Sequence, residues 1–103
     1  MVKAMIFLKR REDMSIDEFR SWWIDRHRPI AERLPGLHRH AFNLLAGGPY
    51  DAVVEQWFES PEAMSASYET DVGRAVVADS REHISARERV IVQEFVFEIP
   101  ARG

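Results

Sequence analysis

The sequence predicts an α+β fold, a four-stranded antiparallel sheet with two helical regions on one of its faces. Three observations predict it. Four segments alternate side chains with the two-residue period of a strand, two segments repeat apolar residues every three or four positions, and their order is β-α-β-β-α-β. A length of 103 residues gives room for one domain spanning residues 1–103. With 46% apolar and 30% charged residues, the chain has ordinary globular composition, which excludes disordered and collagen-like classes.

The first strand is expected over Val2–Lys9, with apolar side chains on both faces near its middle. Ser15 and Glu18 then form a capping box, and Met14 and Phe19 stand at the two positions of a hydrophobic staple, so a helix opens there. Its apolar stripe runs Ile16, Phe19, Trp23, Ile30 and Leu34, and His27 fills the one gap. Trp22 falls off that stripe and is assigned to a dimer contact or to solvent. Pro29 lacks an N–H and crowds the carbonyl of Asp25, so the helix should kink or end near His27. Leu34-Pro35-Gly36 stops what remains of it.

A second strand is expected over Leu37–Ala46, with His38, His40, Phe42 and Leu44 on one face, then a turn at Gly47-Gly48-Pro49. The third strand, Asp51–Phe58, sets Val53, Glu55 and Trp57 against Val54, Gln56 and Phe58. Ser60-Pro61 reads as a cap with proline at the first helical position. The second helical region runs from Glu62 to about His83, broken near Thr70–Gly73, with Tyr68 and Arg74 read as helix-surface residues. Val90–Ile99 is the expected last strand.

This order is the ferredoxin-like βαββαβ arrangement, whose sheet has one face open. An open face should read polar, yet here it must carry either Val53 and Trp57 or Val54 and Phe58. A sheet apolar on both sides needs two covers, and a second copy of the chain, packed sheet to sheet about a two-fold axis, supplies the second. A homodimer paired as an α/β barrel is therefore expected.

The net charge of −3 leaves no footprint for a nucleic-acid backbone, and the basic run Lys9-Arg10-Arg11 is answered by Glu12 and Asp13. Zero cysteines exclude disulfides, thiolate metal sites and a cysteine nucleophile. Ala4–Leu8 is too short for a signal sequence and no stretch approaches membrane-spanning length, so a cytoplasmic protein with no membrane partner is expected.

The run Trp23-Ile24-Asp25-Arg26-His27-Arg28-Pro29-Ile30 followed by Leu34-Pro35-Gly36-Leu37 resembles the signature of the EthD-like family. Further matches lie at Lys9-Arg10, Met14-Ser15, Glu18-Phe19, Asn43, Tyr50-Asp51, Glu55-x-Trp57-Phe58 and Asp71–Ala75 through Asp79. The resemblance implies dimeric α/β barrels with a small cavity in each protomer. It also implies relatives such as methylmuconolactone methylisomerase and polyketide-modifying cyclases or decarboxylases, which use no metal or redox cofactor. The family takes its name from a protein linked to breakdown of an ether, and fold relatives include monooxygenases, so the fold alone decides no reaction. The sequence departs from the common pattern at His40 (usually tyrosine), His83 (usually phenylalanine) and Ser85 (usually aspartate).

His27 is the main catalytic candidate. It lies on the inward stripe where the helix ends, and unpaired carbonyls there favour imidazolium while burial favours the neutral ring. The opposing pulls suit a general acid/base near working pH; the alternative is a core histidine that secures the Pro29 kink. Glu55, a charge within an apolar strand, either orients His27 or a substrate hydroxyl inside the cavity or pairs with Lys3 or Lys9 across the sheet. His40 is the other candidate orienter. Trp57, Trp23, Phe7 and Phe42 are candidates for an aromatic ligand wall, though such side chains are more often plain core, and Lys9 for an anionic substrate group. His27, His38, His40 and His83 show no metal-ligand spacing, so no metal is expected.

These readings combine into a cofactor-independent enzyme that moves a proton next to the carbonyl of a small cyclic or aromatic metabolite, by isomerisation, cyclisation or decarboxylation. Two alternatives stand beside it: a non-catalytic ligand-binding or stress-related dimer, and a cofactor-free monooxygenase.

Overall fold

Pairing in the sheet extends each strand only as far as a neighbour's backbone reaches. In the computed structural model, which describes residues 1–102, β1 (Val2–Arg10) is central. It pairs antiparallel with β3 (Ala52–Phe58) from Val2↔Phe58 to Leu8↔Ala52, and β3 pairs antiparallel with β2 (Arg39–Leu44). On the other side β1 pairs with β4 (Ile84–Val92), giving the order β2-β3-β1-β4. This is the ferredoxin-like α+β fold that the sequence predicts.

The first helical region is built from three pieces. The capping box forms as expected: Ser15 Oγ accepts the Glu18 N–H at 3.0 Å and Glu18 Oε1 accepts the Ser15 N–H at 3.1 Å, which opens α1 (Ile16–Ser21). The helix then widens into a π-helical turn over Trp22–His27, where the Arg28 N–H donates to the Trp23 carbonyl five residues back. It tightens again into α2 (Arg28–Ala31), with Pro29 in its first turn. Pro29 has no N–H to give Asp25 and its ring crowds that carbonyl, so a wider turn resolves the conflict without ending the helix. The expected kink at His27 takes this form.

The π turn also corrects the placement of Trp22. With about one extra residue per turn, Trp22 and Trp23 both point inward, and Trp22 is only 5% exposed. Trp22 and Trp23 join Ile6, Leu8, Phe19, Ala52 and Val54 in the main core between helices and sheet. Ile16, the first residue of the expected stripe, is exposed.

Ser60 caps α3 (Pro61–Tyr68) and Thr70 caps α4 (Asp71–His83), so the break near Thr70 is real. α4 abuts α3 through Gly73, where a Cβ would lie 2.4 Å from Tyr68 Cα and 2.6 Å from the Ser67 carbonyl oxygen. Among the described residues no helix is long and apolar enough to cross a membrane.

Two strand expectations need correction. β2 is shorter than Leu37–Ala46, and Leu44 is exposed although it shares a face with the half-buried His40 and Phe42. The last strand is Ile84–Val92, not Val90–Ile99, because the chain leaves α4 at His83 directly into the ladder and runs out of β1 partners at Lys3↔Val92. The polar stretch Ser85–Arg89 thus pairs as a strand while the better strand pattern beyond it does not: pairing geometry overrides propensity. Residues 93–102 lie outside any strand or helix, with Phe95 70% and Phe97 78% exposed.

Candidate active site

The sheet divides the predicted site residues into two groups. Alternation along β1 and β3 points Ile6, Leu8, Val54 and Gln56 toward the helices, and Met5, Phe7, Val53, Glu55 and Trp57 to the open face. His27, Trp23, His40 and Phe42 belong to the helix side; the Trp23 and Phe42 rings lie 4.5 Å apart and His40 meets Phe42 edge-on at 4.9 Å. Glu55, Trp57, Phe7 and Lys9 belong to the open face, and Lys9 is exposed. The candidate aromatic wall is therefore two separate groups, one on each side of the sheet.

Glu55 does not reach His27. Its carboxylate accepts from Lys3 Nζ at 3.3 Å and Asn43 Nδ2 at 3.4 Å, and Glu94 from the C-terminal segment closes on the same ammonium. Of the two readings of Glu55, this is the cross-sheet pairing with Lys3. His40 approaches Glu32, Nε2 to Oε1, at 3.6 Å, and burial outweighs that carboxylate to push its pKa down.

Around His27 the structure assembles a different set. His27 is 5% exposed, and its Nδ1 lies 2.8 Å from Asp79 Oδ2 on α4. A carboxylate only accepts, so Nδ1 carries the proton and Nε2 presents its lone pair. Nε2 faces Ser80 Oγ at 3.4 Å. The indole of Trp22 donates to the same Asp79 oxygen at 3.1 Å, and Trp22 stacks on His83 with ring centroids 4.2 Å apart. Burial lowers the His27 pKa, and the Asp79 hydrogen bond and charge only partly offset that, so the ring is held neutral with a basic nitrogen available.

His27 and Ser80 both line a cavity of about 100 Å³ between the sheet and the helices. Ile6, Leu8, Val54, Val76 and Val77 give it apolar walls. Its polar groups are His27, Ser80, Gln56, Tyr68, Arg81 and Arg87. Tyr68 is not the surface residue expected from sequence: its hydroxyl donates to Gln56 Oε1 at 2.9 Å, and burial raises its pKa. Arg74 does lie on the surface, paired with Asp71.

Asp79, Ser80 and Tyr68 were not among the candidates. Ser80 had a signal in the inward stripe of α4, Val72, Val76, Ser80 and His83 at helical spacing; Asp79 beside it and Tyr68 at the end of α3 had none. Among the described residues, Asp79, Glu82 and His83 are the side chains near enough to share a cation. However, His83 Nδ1 donates to the Asp79 carbonyl at 2.7 Å and Asp79 Oδ2 already takes two N–H groups, so this donor set is committed to hydrogen bonds and fits a metal poorly.

A buried imidazole–carboxylate pair beside a small cavity, on a four-stranded antiparallel sheet, places the chain among small α+β proteins of ferredoxin-like fold. Residues 11–87 match the EthD domain model, and the chain belongs to that family. It is 27% identical to 4-carboxymethyl-4-methylbutenolide mutase of Pseudomonas reinekei, over 93% of this chain and all of that protein. A dimeric ferredoxin-like protein from Thermobifida fusca superposes with a TM-score of 0.72 at 19% identity, covering 88% of each chain. The cofactor-independent oxygenase SnoaB of Streptomyces nogalater superposes with a TM-score of 0.71 at 14% identity, covering 93% of this chain and 94% of that one.

Proposed function

We propose that this chain is a cofactor-independent enzyme that moves a proton next to the carbonyl of a small cyclic or aromatic metabolite, acting in the cytoplasm as a homodimer. The observation that carries the reading is the buried His27 ring of the cavity wall, held by Asp79 at Nδ1 with Nε2 facing Ser80 of the same wall. Nε2 takes a proton from carbon, the electron pair moves into the carbonyl to give an enolate, and the imidazolium is stabilised by Asp79. Return of that proton to another carbon completes an isomerisation; loss of a leaving group from the enolate completes a ring opening. The apolar walls exclude water, which strengthens the His27–Asp79 pair when it becomes ionic.

The similarity to a mutase supports an isomerase-type reaction on a ring with a carbonyl, such as a butenolide. Asp79 takes the orienting role considered for Glu55 and His40. The dimer is supported by the open face, where Phe7 and Trp57 are half-buried and Val90 is exposed, and by the exposed Phe95, Phe97 and Ile99 beyond it.

The test is a panel of lactones, phenols, quinones and polyketide-like aromatics offered to wild type and to His27→Ala. A ligand that stabilises both proteins and is converted only by wild type supports the proposal. A ligand bound equally and converted by neither makes the chain a binding module. Oxygen uptake with an anthrone that depends on His27 would transfer it to the oxygenase reading suggested by the fold of SnoaB.

A further inference from the structure

We infer that the His27 cavity takes an organic anion, a small ring ketone or lactone bearing a carboxylate, whose charge rests on Arg87 and Arg81 at the cavity mouth. This deepens the reading of the cavity as a reaction site and rests on it.

The argument begins with size. An apolar cavity of about 150 Å³ accommodates benzene, so a cavity of about 100 Å³ cannot enclose a substituted ring completely. Part of any ring ligand must project through the mouth. The depths are occupied by the buried His27 and Ser80, while the lining residues that are exposed are Arg81, from the last turn of α4, and Arg87, from β4. A substituent that leaves the cavity therefore meets guanidinium groups.

Charge gives the second part. No carboxylate lines the cavity. Arg81, Arg87 and their neighbour Arg89 have no carboxylate within ion-pairing distance among the described residues, whereas Arg10, Arg11, Arg20, Arg28 and Arg74 all do. Arg81 and Arg89 are close enough to Arg87 to oppose its charge, and Arg87 and Arg89 both act on the Tyr68 phenol. A chain of net charge −3 thus sets two cations without ion-pair partners at one opening, with Arg89 near enough to Arg87 to add its charge. Guanidinium forks match carboxylate oxygens, and a partly desolvated fork binds them more strongly than water-exposed lysine does. With the anion on Arg87, the ring carbon beside its carbonyl lies inward, toward His27 Nε2.

The test compares 3-oxocyclopentane carboxylate with its methyl ester, a pair differing in one charge, by ligand-observed NMR titration of the wild-type protein. The acid is expected to bind about ten- to a hundredfold more tightly than the ester. Added salt should weaken the acid and not the ester. Arg87→Gln should remove most of the preference and leave ester affinity in place, while Arg33→Gln, which removes an exposed charge elsewhere, should change neither. If Arg87→Gln folds poorly, Arg81→Gln serves the same comparison. Equal binding of acid and ester, survival of the preference in both cavity variants, or no binding of either probe at millimolar concentration overturns the inference. Exchange of ring protons into deuterated water, followed in the same samples, separates the two readings. Exchange that depends on His27 without any anion preference removes this inference alone. Anion preference with exchange identical in wild type and His27→Ala removes the proton-transfer reading alone.

Discussion

His27 and Asp79, 52 residues apart in sequence, meet at 2.8 Å because the π turn and the last turns of α4 present them to each other. Asp79 also accepts the Trp22 indole N–H, so its oxygen is fixed from two directions. Asp79 is thus a positioning residue for the imidazole. Asp79→Asn can offer Nδ1 an N–H instead of an acceptor and so inverts the ring's preferred tautomer. On a substrate found in the panel, kcat should fall by about a hundred- to ten-thousandfold while KM changes little. A raised KM with kcat intact would move Asp79 from proton transfer to ligand binding.

The same burial makes stability depend on pH with a definite sign. The folded pKa of His27 lies below its ordinary 6.5 because desolvation outweighs Asp79, so between those two values the unfolded chain binds more protons than the folded one. Stability is complete above 6.5 and is lost as pH falls through that value toward the folded pKa. His40 is shifted in the same direction and adds to the slope. Urea denaturation from pH 8 to pH 5 should therefore show midpoints that fall on acidification, and less steeply in His27→Asn. A flat profile in wild type would mean that neither ring is neutralised by folding. Activity should follow, with kcat/KM rising along a limb centred below 6.5 and level at neutral pH.

How far the sequence could be read depended on which residues report locally. The capping box at Ser15, the cap at Thr70 and the proline at Pro61 are short-range chemistry, and each marks its element correctly. His27 was legible because it interrupts an apolar stripe. Its partner was not, since no spacing links position 27 to position 79; the link is made by tertiary packing of α4 on the π turn. Glu55 attracted attention as a charge in an apolar strand, but two-residue alternation cannot say which face meets the helices, and the face it chose carries Lys3 and Asn43. The last strand was misplaced for a related reason: the alternation from Gln93 onward has strand character and lacks a neighbouring strand within the chain.

Gly73 carries a prediction about the site's frame. It lets the first turn of α4 touch the end of α3, and a methyl group there would stand 2.4–2.6 Å from backbone atoms of Tyr68 and Ser67. Backbone cannot rotate away as a side chain can, so the helices must separate. Gly73→Ala should cost about 1–3 kcal/mol despite alanine's better helix propensity, and should shift Tyr68 away from Gln56. Thermal denaturation together with the NMR shifts of the Tyr68 ring and the Gln56 side-chain amide in the otherwise unaltered protein reads both effects. An unchanged or raised Tm would show that α3 and α4 do not approach so closely.

The open face makes the strongest prediction about assembly. On this face Lys3, which is 8% exposed, pairs across the sheet with Trp57 and lies between Glu55 and Glu94, and Phe7 stands opposite Val53 further along the ladder. Covering this face with a second copy would bury the half-exposed Phe7 and Trp57, while Lys3, already hydrogen-bonded within its own chain, stays paired with its two carboxylates. Val90, on the same face of β4 opposite Met5, is exposed. Val90→Glu should leave the protomer folded by circular dichroism and convert a dimer to a monomer at micromolar concentration in sedimentation velocity. Removing residues 95–103 should weaken the dimer as well, since Phe95, Phe97 and Ile99 are mostly exposed within their own chain. A wild-type protein that sediments as a monomer at high micromolar concentration would reject the dimer and leave the apolar open face to another partner.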